Sequence, residues 1–212
     1  MKISLNRNKL SSYVASQVNN FFPDGTVSGD RLKPYIDNAL ERASHCFVHI
    51  KNKYFQQEGE VVFNHLHTDQ YAMFLYLLCN SIYRISKDVD LAAKVYALNK
   101  ALHAIDVFYE VELPGIFYFQ HPLGTVLGRA EYSDYLFVYP RCNVGANLED
   151  VYPRIGEGVI MYGGSAIIGD CNVGDNSWLS LGATVMDQDV PSGSVVFGCP
   201  PNTIIRPTRR NV

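Results

Sequence analysis

The second half of the chain carries a hydrophobic pattern that repeats every six residues. From residue 155 the sequence reads IGEGVI, MYGGSA, IIGDCN, VGDNSW, LSLGAT and VMDQDV, so that an aliphatic residue or methionine opens each hexad. The fifth position is mostly small, as at Ser165, Cys171, Ser177 and Ala183. This spacing matches neither an α-helix nor a plain strand, whose periods are about 3.6 and 2 residues. It is typical of a parallel β-helix, in which three hexads form one triangular coil with the aliphatic residues inward.

The repeat extends upstream with less regular spacing. The inward positions expected there are Val107, Leu113, Phe119, Leu127, Tyr132, Val138 and Val144, with Cys142 as a small partner. The pattern therefore predicts about five coils from Val107 onward. Residues 146–154 (ANLEDVYPR) interrupt the period and are expected to form an extruded loop, which is where a regular repeat tends to carry function.

The first half of the chain shows helical periodicity instead. Its apolar spacing predicts amphipathic helices, the first through Leu10 and Val14 and the second running on toward Tyr54. Candidate N-terminal caps of the later helices are, in pairs, Ser28 or Asp30, Thr68 or Asp69, and Asp88 or Asp90.

The use of glycine changes along the chain. No glycine occurs between Gly59 and Gly115, whereas the residues after Gly115 are rich in glycine. This shift places the predicted boundary near Ile105, with an α-helical domain over residues 1–105 and a β-helix domain over residues 106–212. The predicted fold class is α+β, mainly β. We expect the helical domain to cap the open end of the β-helix and to take part in joining subunits.

Composition and charge exclude several classes of protein. A net charge of −3 gives no basic footprint for nucleic acid, and no apolar run reaches the roughly 18 residues of a membrane helix. The five cysteines form no CxxC pair, and the first residues lack the apolar core of a signal peptide. We therefore expect reduced thiols and a cytoplasmic location.

The histidines divide into two kinds. His65 and His67 form an HxH pair, but no cluster of cysteine, aspartate or glutamate completes a metal-ligand set. A capping or surface role is favoured for this pair, and no metal is expected. His121 differs because it lies inside the repeat, where an ordered coil favours neutral side chains.

The residues around His121 resemble the serine acetyltransferase family of hexapeptide-repeat acyltransferases. The family's H-x-x-G-x-V-x-G stretch corresponds to His121, Gly124, Val126 and Gly128. Its aspartate fifteen residues before the histidine corresponds to Asp106. Its glycine before the extruded loop corresponds to Gly145, the loop to residues 146–154, and the E-G-V sequence after it to residues 157–159. Its closing motif corresponds to residues 198–201 with Arg206 and Pro207. The resemblance covers about residues 69–207 and implies a left-handed β-helix that assembles as a homotrimer, with the pairing of two trimers left open.

The resemblance also implies a mechanism. An acceptor hydroxyl would attack the thioester of acetyl-coenzyme A directly, with His121 as general base and Asp106 orienting its imidazole. A backbone N–H near Gly145 would stabilise the oxyanion. The pantetheine arm would lie along small residues, which indicates Gly163 and Gly164.

Further residues are indicated for the coenzyme. Leu181 lies one coil beyond Gly163 and would border the same groove. Arg206, Arg209 and Arg210 are candidates for its phosphates, because a guanidinium pairs well with phosphate.

The acceptor-binding positions depart from the family pattern. Val151 and Tyr152 replace an arginine and a histidine at the end of the loop, and Gln120 replaces an aspartate before the catalytic histidine. His65 falls where the family has an acidic residue, although Asp69 keeps its place. A zwitterion would therefore meet few compensating charges, and an unpaired desolvated charge is costly.

These departures favour a neutral acceptor such as a sugar or another polyol. Arg129, Arg141 or Arg154 could instead supply a positive charge from another direction. Two alternatives remain: serine O-acetylation with a rearranged acceptor pocket, and a non-catalytic assembly protein that kept the β-helix. Retention of Asp106 and His121 argues against the assembly protein.

Overall fold

The chain forms two compact units, Met1–His103 and Ala104–Val212, in a computed structural model that describes residues 1–208. The first unit is helical and the second is a β-helix. The candidate pair Asp106 and His121 lies in the second unit.

The helical unit contains four helices and one small sheet. Its elements are β1 (Lys2–Ile3), α1 (Arg7–Phe21), α2 (Gly29–Phe47), β2 (Gln56–Gln57), β3 (Glu60–Phe63), α3 (Thr68–Ser86) and α4 (Val89–His103). Strand β3 pairs parallel with β1 and antiparallel with β2. Helix α3 lies at the centre, since every residue from Asp69 to Ile82 is buried. Within residues 1–208, none of the helices is both long and apolar enough to span a membrane.

Three of the four helix starts show how closely local sequence sets the boundaries. The Ser28 hydroxyl accepts the Arg31 N–H at 3.2 Å, as one of the predicted caps of α2. The Asp88 carboxylate does the same for α4. The prediction for α3 was wrong, because the cap is the imidazole of His67, which accepts the Gln70 N–H at 3.5 Å.

The expected course of α2 was also wrong. The helix ends at Phe47 instead of continuing toward Tyr54. The amides of His49 and Ile50 bond to carbonyls three residues back, at Cys46 and Phe47, which tightens the last turn and ends the helix.

The β-helix unit is built from three parallel sheets that the chain visits in rotation. Sheet 1 contains β4 (Phe117–Phe119), β7 (Leu136–Val138), β10 (Ile160–Met161), β13 (Trp178–Leu179) and β15 (Ser194–Phe197). Sheet 2 contains β5 (Val126–Leu127), β8 (Asn143–Gly145), β11 (Ala166–Ile168) and β14 (Thr184–Met186). Sheet 3 contains β6 (Glu131–Tyr132), β9 (Arg154–Ile155) and β12 (Asn172–Val173). A last strand, β16 (Ile204–Pro207), pairs antiparallel with β15 at the edge of sheet 1.

The hexad pattern is confirmed by the burial of the side chains. Ile155, Met161, Ile167, Val173, Leu179 and Val185 are all at most 2 % exposed. The small residues at Ser165, Cys171, Ser177 and Ala183 are equally buried. The solenoid has fewer coils than expected, about four rather than about five, because Val107 and Leu113 are buried without belonging to a strand.

The strand register shows how many residues the extruded loop adds to its coil. Ile160 pairs with Trp178, 18 residues later, but with Phe137, 23 residues earlier. The five additional residues belong to the segment between β8 and β9, which leaves the coil without shifting the ladder. Its residue Leu148 is fully exposed.

Most corners of the triangle contain a residue with positive φ. We call the turn from sheet 1 to sheet 2 the first corner, the turn from sheet 2 to sheet 3 the second corner, and the turn from sheet 3 to sheet 1 the third corner. At the first corner these residues are Gly124, Arg141, Gly164 and Gly182. At the third corner they are Tyr135, Gly158, Asn176 and Gly193. Glycine and asparagine tolerate this conformation, so only Arg141 and Tyr135 depart from the residue types expected in these two columns.

Candidate active site

His121 lies in a compact turn at the first corner. The turn follows β4, whose ladder continues to Gln120, since the Gln120 N–H donates to the Val138 carbonyl at 2.9 Å. His121 itself has a φ of 50° and is exposed. The amide of Leu123 then donates to the His121 carbonyl at 2.8 Å, and Thr125 closes the turn onto Pro122 at 3.1 Å. These bonds hold the histidine backbone rigidly at the surface of the β-helix.

Asp106 lies on the segment that pairs with the end of this turn. Its N–H donates to the Thr125 carbonyl at 2.9 Å, and its own carbonyl accepts from Leu127 at 2.9 Å. The neighbours Ile105 and Val107 are buried, while Asp106 is half-buried, so its side chain faces away from the core. The structure therefore brings the two predicted catalytic residues onto adjoining backbone segments of one corner.

The first corner continues below His121 as a strip of small residues. The Gly164 N–H bonds to the Pro140 carbonyl at 2.9 Å, and the Gly182 N–H bonds to the Gly163 carbonyl at 3.1 Å. A Cβ on Gly163 would stand 3.4 Å from both the Pro140 carbonyl and the Leu181 side chain. Leu181 is 76 % exposed. Three residues predicted to hold pantetheine, Gly163, Gly164 and Leu181, thus share the corner of His121.

Gly145 and the extruded loop lie at the second corner instead. Gly145 ends β8, and its carbonyl accepts the Gly169 N–H at 3.0 Å. Strands of sheet 2 have two or three residues, so the first and second corners are about 10 Å apart. Gly145 is therefore not brought together with Gly163 and Gly164.

The loop is organised by Asn147, which the sequence analysis did not single out. Its side-chain oxygen accepts the amides of Glu149 and Val151 at 3.1 and 3.0 Å. Its side-chain nitrogen donates to the Asp187 carboxylate at 2.8 Å. Asparagine bonding to amides two and four residues on is a recurrent turn signal, and it could have been used here. The loop presents Val151 and Tyr152 at the surface, each 37 % exposed.

The arginines near the site differ in their partners. Arg129 lies 3.2 Å from the Glu110 carboxylate and beside the Tyr152 hydroxyl, and these neighbours raise the pKa of its guanidinium. Arg154 donates to the Asn172 side chain at 2.8 Å, on sheet 3. Hydrogen bonds from Asn172, together with the charge of Arg154, lower the pKa of Asp189. Arg154 thus lines a groove of about 450 Å³ on sheet 3 that does not include His121.

Arg206 is placed on sheet 1 rather than at the first corner. It is exposed and pairs with Val195 through β16. Arg209 and Arg210 lie outside the described residues.

His65 and Asp69 belong to the helical unit. The His65 ring nitrogen Nδ1 lies 2.8 Å from the Ser4 hydroxyl, and the His65 amide donates to the same oxygen at 3.0 Å. Burial lowers the pKa of His65. Asp69 is 2 % exposed in the first turn of α3. No group of three or more histidine, cysteine, aspartate or glutamate side chains within residues 1–208 is arranged to hold a metal.

Comparison with curated proteins identifies relatives of one kind. The serine acetyltransferase of Synechococcus elongatus is 26 % identical over 113 residues, covering 51 % of this chain and 46 % of that protein. The chain thus matches about half the length of that relative. The serine acetyltransferase of Staphylococcus epidermidis is 24 % identical over 145 residues, covering 66 % of this chain and 67 % of that protein. No family model matches the sequence.

Solved structures extend the likeness to the whole fold. A serine acetyltransferase from Brucella abortus superposes with a TM-score of 0.71 at 20 % identity, covering 95 % of this chain and 84 % of that chain. The same enzyme in complex with coenzyme A gives 0.72 at 19 % identity, covering 99 % and 85 %. A serine acetyltransferase from Vibrio cholerae gives 0.72 at 19 % identity, covering 95 % and 80 %. The chain is thus similar in sequence to serine acetyltransferases and shares their fold, a helical unit followed by a left-handed parallel β-helix.

Proposed function

We propose that the chain is an acetyl-coenzyme A-dependent O-acetyltransferase whose general base is His121. The observation that carries this proposal is the first corner, where an exposed histidine in a rigid turn adjoins the Asp106 segment and a strip of glycines. The relatives named serine acetyltransferases, one of them solved with coenzyme A, support the same chemistry.

The transfer needs only one base and one leaving thiol. The His121 imidazole takes the proton of the acceptor hydroxyl while the hydroxyl oxygen forms a bond to the acetyl carbonyl carbon. The tetrahedral intermediate then collapses, the carbon–sulfur bond breaks, and the imidazolium returns the proton to the departing thiolate. The products are an O-acetyl ester and free coenzyme A. A positioned base of this kind contributes about 10²–10⁴-fold.

Asp106 has the role of a positioning residue in this scheme. A carboxylate beside the imidazole fixes which ring nitrogen carries the proton and stabilises the imidazolium. The backbone bonds between the Asp106 segment and the end of the His121 turn support this role, because they leave neither residue free to drift from the other.

The donor would lie along the first corner. An extended pantetheine arm can approach the backbone closely where Gly163 and Gly164 have no side chain, with Leu181 as an apolar border. Gly145, the candidate for the oxyanion, and Arg206, the candidate for the phosphates, both lie away from the first corner, so each could reach the donor only from a neighbouring copy of the chain. We further propose a homotrimer, in which a neighbouring β-helix would complete the groove.

L-Serine is the acceptor best supported by the relatives, all of which are named for it. The comparisons therefore favour the alternative of the sequence analysis over its leading prediction of a sugar. The neutral acceptor remains the second candidate, because Val151 and Tyr152 are exposed on the loop and carry no charge.

The decisive experiment measures thiol release from acetyl-coenzyme A by the purified protein with L-serine and with a panel of sugars. The control is His121→Asn, since asparagine tolerates the positive φ of this position. Release with L-serine that the variant loses would support serine O-acetylation. Release with a sugar alone would support the neutral acceptor, and release that does not depend on His121 would contradict the proposed base.

A further inference from the structure

The first-corner column contains one residue that its conformation disfavours. Gly124, Gly164 and Gly182 occupy the left-handed region without strain, but Arg141 is held there with a φ of 60°. A residue with a Cβ is strained in this region, and strain of this kind is concentrated at functional sites. Glycine fills the same position in the neighbouring coils, so the fold does not require arginine here.

The Arg141 side chain lies on the turn of His121. The backbone N–H of Arg141 donates to the Leu123 carbonyl at 2.9 Å, and the side-chain Cγ lies 3.4 Å from the position of a Cβ on Gly124. The stem of the arginine therefore packs against the turn that begins with the general base. Its exposed head is carried on the same corner.

The charge of Arg141 is not compensated locally. Arg129 is paired with Glu110, and Arg154 is bonded to Asn172. Within residues 104–208, by contrast, the Arg141 guanidinium has neither a hydrogen-bond acceptor nor an ion-pair partner. A guanidinium carried on the same corner as the proposed base, without a protein partner, is suited to bind an anionic group of a substrate.

Two substrate anions could use this charge, and the chemistry separates them. The thioester that reacts at His121 lies at the opposite end of coenzyme A from the phosphates. The acceptor, in contrast, has its hydroxyl on His121, so its other groups lie close by. An acceptor carboxylate on the carbon next to the hydroxyl-bearing carbon would therefore lie on the corner that carries Arg141.

We infer that Arg141 binds the carboxylate of the acceptor, so that the site takes hydroxy amino acids or related hydroxy acids rather than neutral sugars. This inference rests on the proposed acetyl transfer at His121. The planar guanidinium offers two parallel N–H donors to a carboxylate, which gives orientation as well as charge. Arg141 thereby supplies the positive charge that the neutral Val151 and Tyr152 do not.

The test uses variants matched to the two corner columns. Arg141→Gly gives the first-corner column a fourth glycine and removes the guanidinium. Arg141→Lys keeps the positive charge but lacks the two parallel N–H donors. Tyr135→Gly makes the same backbone change in the third-corner column, where Tyr135 has a φ of 61°. KM is measured for L-serine, for L-serinamide, which lacks the carboxylate, and for acetyl-coenzyme A.

The expected result is confined to the acceptor. Arg141→Gly raises KM for L-serine by about 10–100-fold, as expected for a lost hydrogen bond between charged groups, and leaves KM for acetyl-coenzyme A unchanged. The increase is smaller in Arg141→Lys and absent in Tyr135→Gly. The unmodified protein prefers L-serine over L-serinamide, and Arg141→Gly loses this preference. An unchanged KM for L-serine in Arg141→Gly, or an increase for acetyl-coenzyme A alone, overturns the inference.

A binding measurement separates this inference from the proposed reaction. Titration calorimetry of L-serine and L-serinamide with the unmodified protein and with Arg141→Gly requires no turnover. If no thiol is released but L-serine binds through Arg141, the carboxylate site stands and the proposed transfer fails. If the unmodified protein binds neither compound, or binds both equally, the carboxylate site is overturned whatever the turnover.

Discussion

His103 in the helical unit and His121 in the β-helix show how differently two histidines of one chain are held. His103 is 7 % exposed on an ordinary helix, and its Nδ1 lies 2.8 Å from the Asn99 side-chain oxygen. The Asn99 side-chain nitrogen donates to the Ala72 carbonyl at 3.0 Å, so the Asn99 oxygen accepts a hydrogen bond from the Nδ1–H of His103. The Tyr71 ring meets the imidazole edge to face, and burial lowers the pKa of His103 to about 4.

His121 has the opposite surroundings. It is exposed, its backbone is in the left-handed region, and its turn adjoins a strip of glycines. The difference teaches that a buried histidine with a hydrogen-bonded ring serves stability, whereas the strained and exposed His121 is accessible for the chemistry proposed above. Substitutions at these two histidines and at Asp106 test that distinction.

The largest effect is expected at His121. Replacing the base by asparagine should lower kcat/KM by about 10²–10⁴-fold, because the acceptor hydroxyl loses its proton acceptor. The midpoint of thermal unfolding should not fall, since the side chain is exposed and asparagine accepts the backbone conformation. Steady-state kinetics and calorimetry on the same preparation test both parts, and a folded variant with full activity would refute the assigned base.

Asp106→Asn should lower kcat by up to about 10⁴-fold, without raising KM for acetyl-coenzyme A, because the variant no longer holds the imidazole in its reactive form. Steady-state kinetics with acetyl-coenzyme A as the varied substrate separate kcat from KM. An unchanged kcat, or a loss that appears only in KM, would contradict the positioning role of the carboxylate.

His103 should make the stability of the protein depend on pH. In the unfolded chain its pKa is about 6.5, and in the folded protein it is about 4, so folding favours the neutral ring. This contribution is present above pH 6.5 and is lost as the pH falls to 4, by up to about 3 kcal/mol. Denaturant unfolding between pH 7 and pH 4 measures it. The loss over this range should be smaller in His103→Gln, and an equal loss in both proteins would rule out His103 as its source.

The smallest effect is expected on the free energy of unfolding when each of the two histidines is replaced by glycine. His121→Gly should change stability by at most about 1 kcal/mol and in the favourable direction, because relief of left-handed strain exceeds the entropy that glycine adds to the unfolded chain. His103→Gly should instead destabilise, since it removes a buried hydrogen bond and weakens a helix. Urea titrations of both variants measure the difference. Destabilisation by the same amount at both positions would remove the distinction between them.

The periodicity of the sequence predicted those parts of the fold that depend on the spacing of neighbouring residues. The six-residue period identified the buried positions from Ile155 to Val185, because each inward residue stacks on its equivalent one coil away. It did not give the number of coils, since residues such as Val107 are buried without joining a strand. It also missed the cap at His67, because histidine is an unusual acceptor for a helix N-terminus.

The placement of the candidate site residues could be predicted in part for the same reason. The strip of Gly163, Gly164 and Leu181 follows from the 18-residue coil, so sequence alone could place these residues together. The strain at Arg141 could not be predicted, because a positive φ is recognisable in sequence only where glycine or asparagine occupies it. The contact of Arg141 with the His121 turn depends on a register that varies from coil to coil in this region.

The antiparallel strand β16 has a consequence for the behaviour of the protein in solution. The last strand in each sheet of a parallel β-helix is an edge strand, and its unpaired amides and carbonyls can pair with a strand from another molecule. Residues 204–207 fold back and pair antiparallel with β15, so they cover this edge of sheet 1. The strand therefore prevents end-to-end association of β-helices through this edge. A chain shortened before Ile204 should form filaments at concentrations where the full chain does not associate.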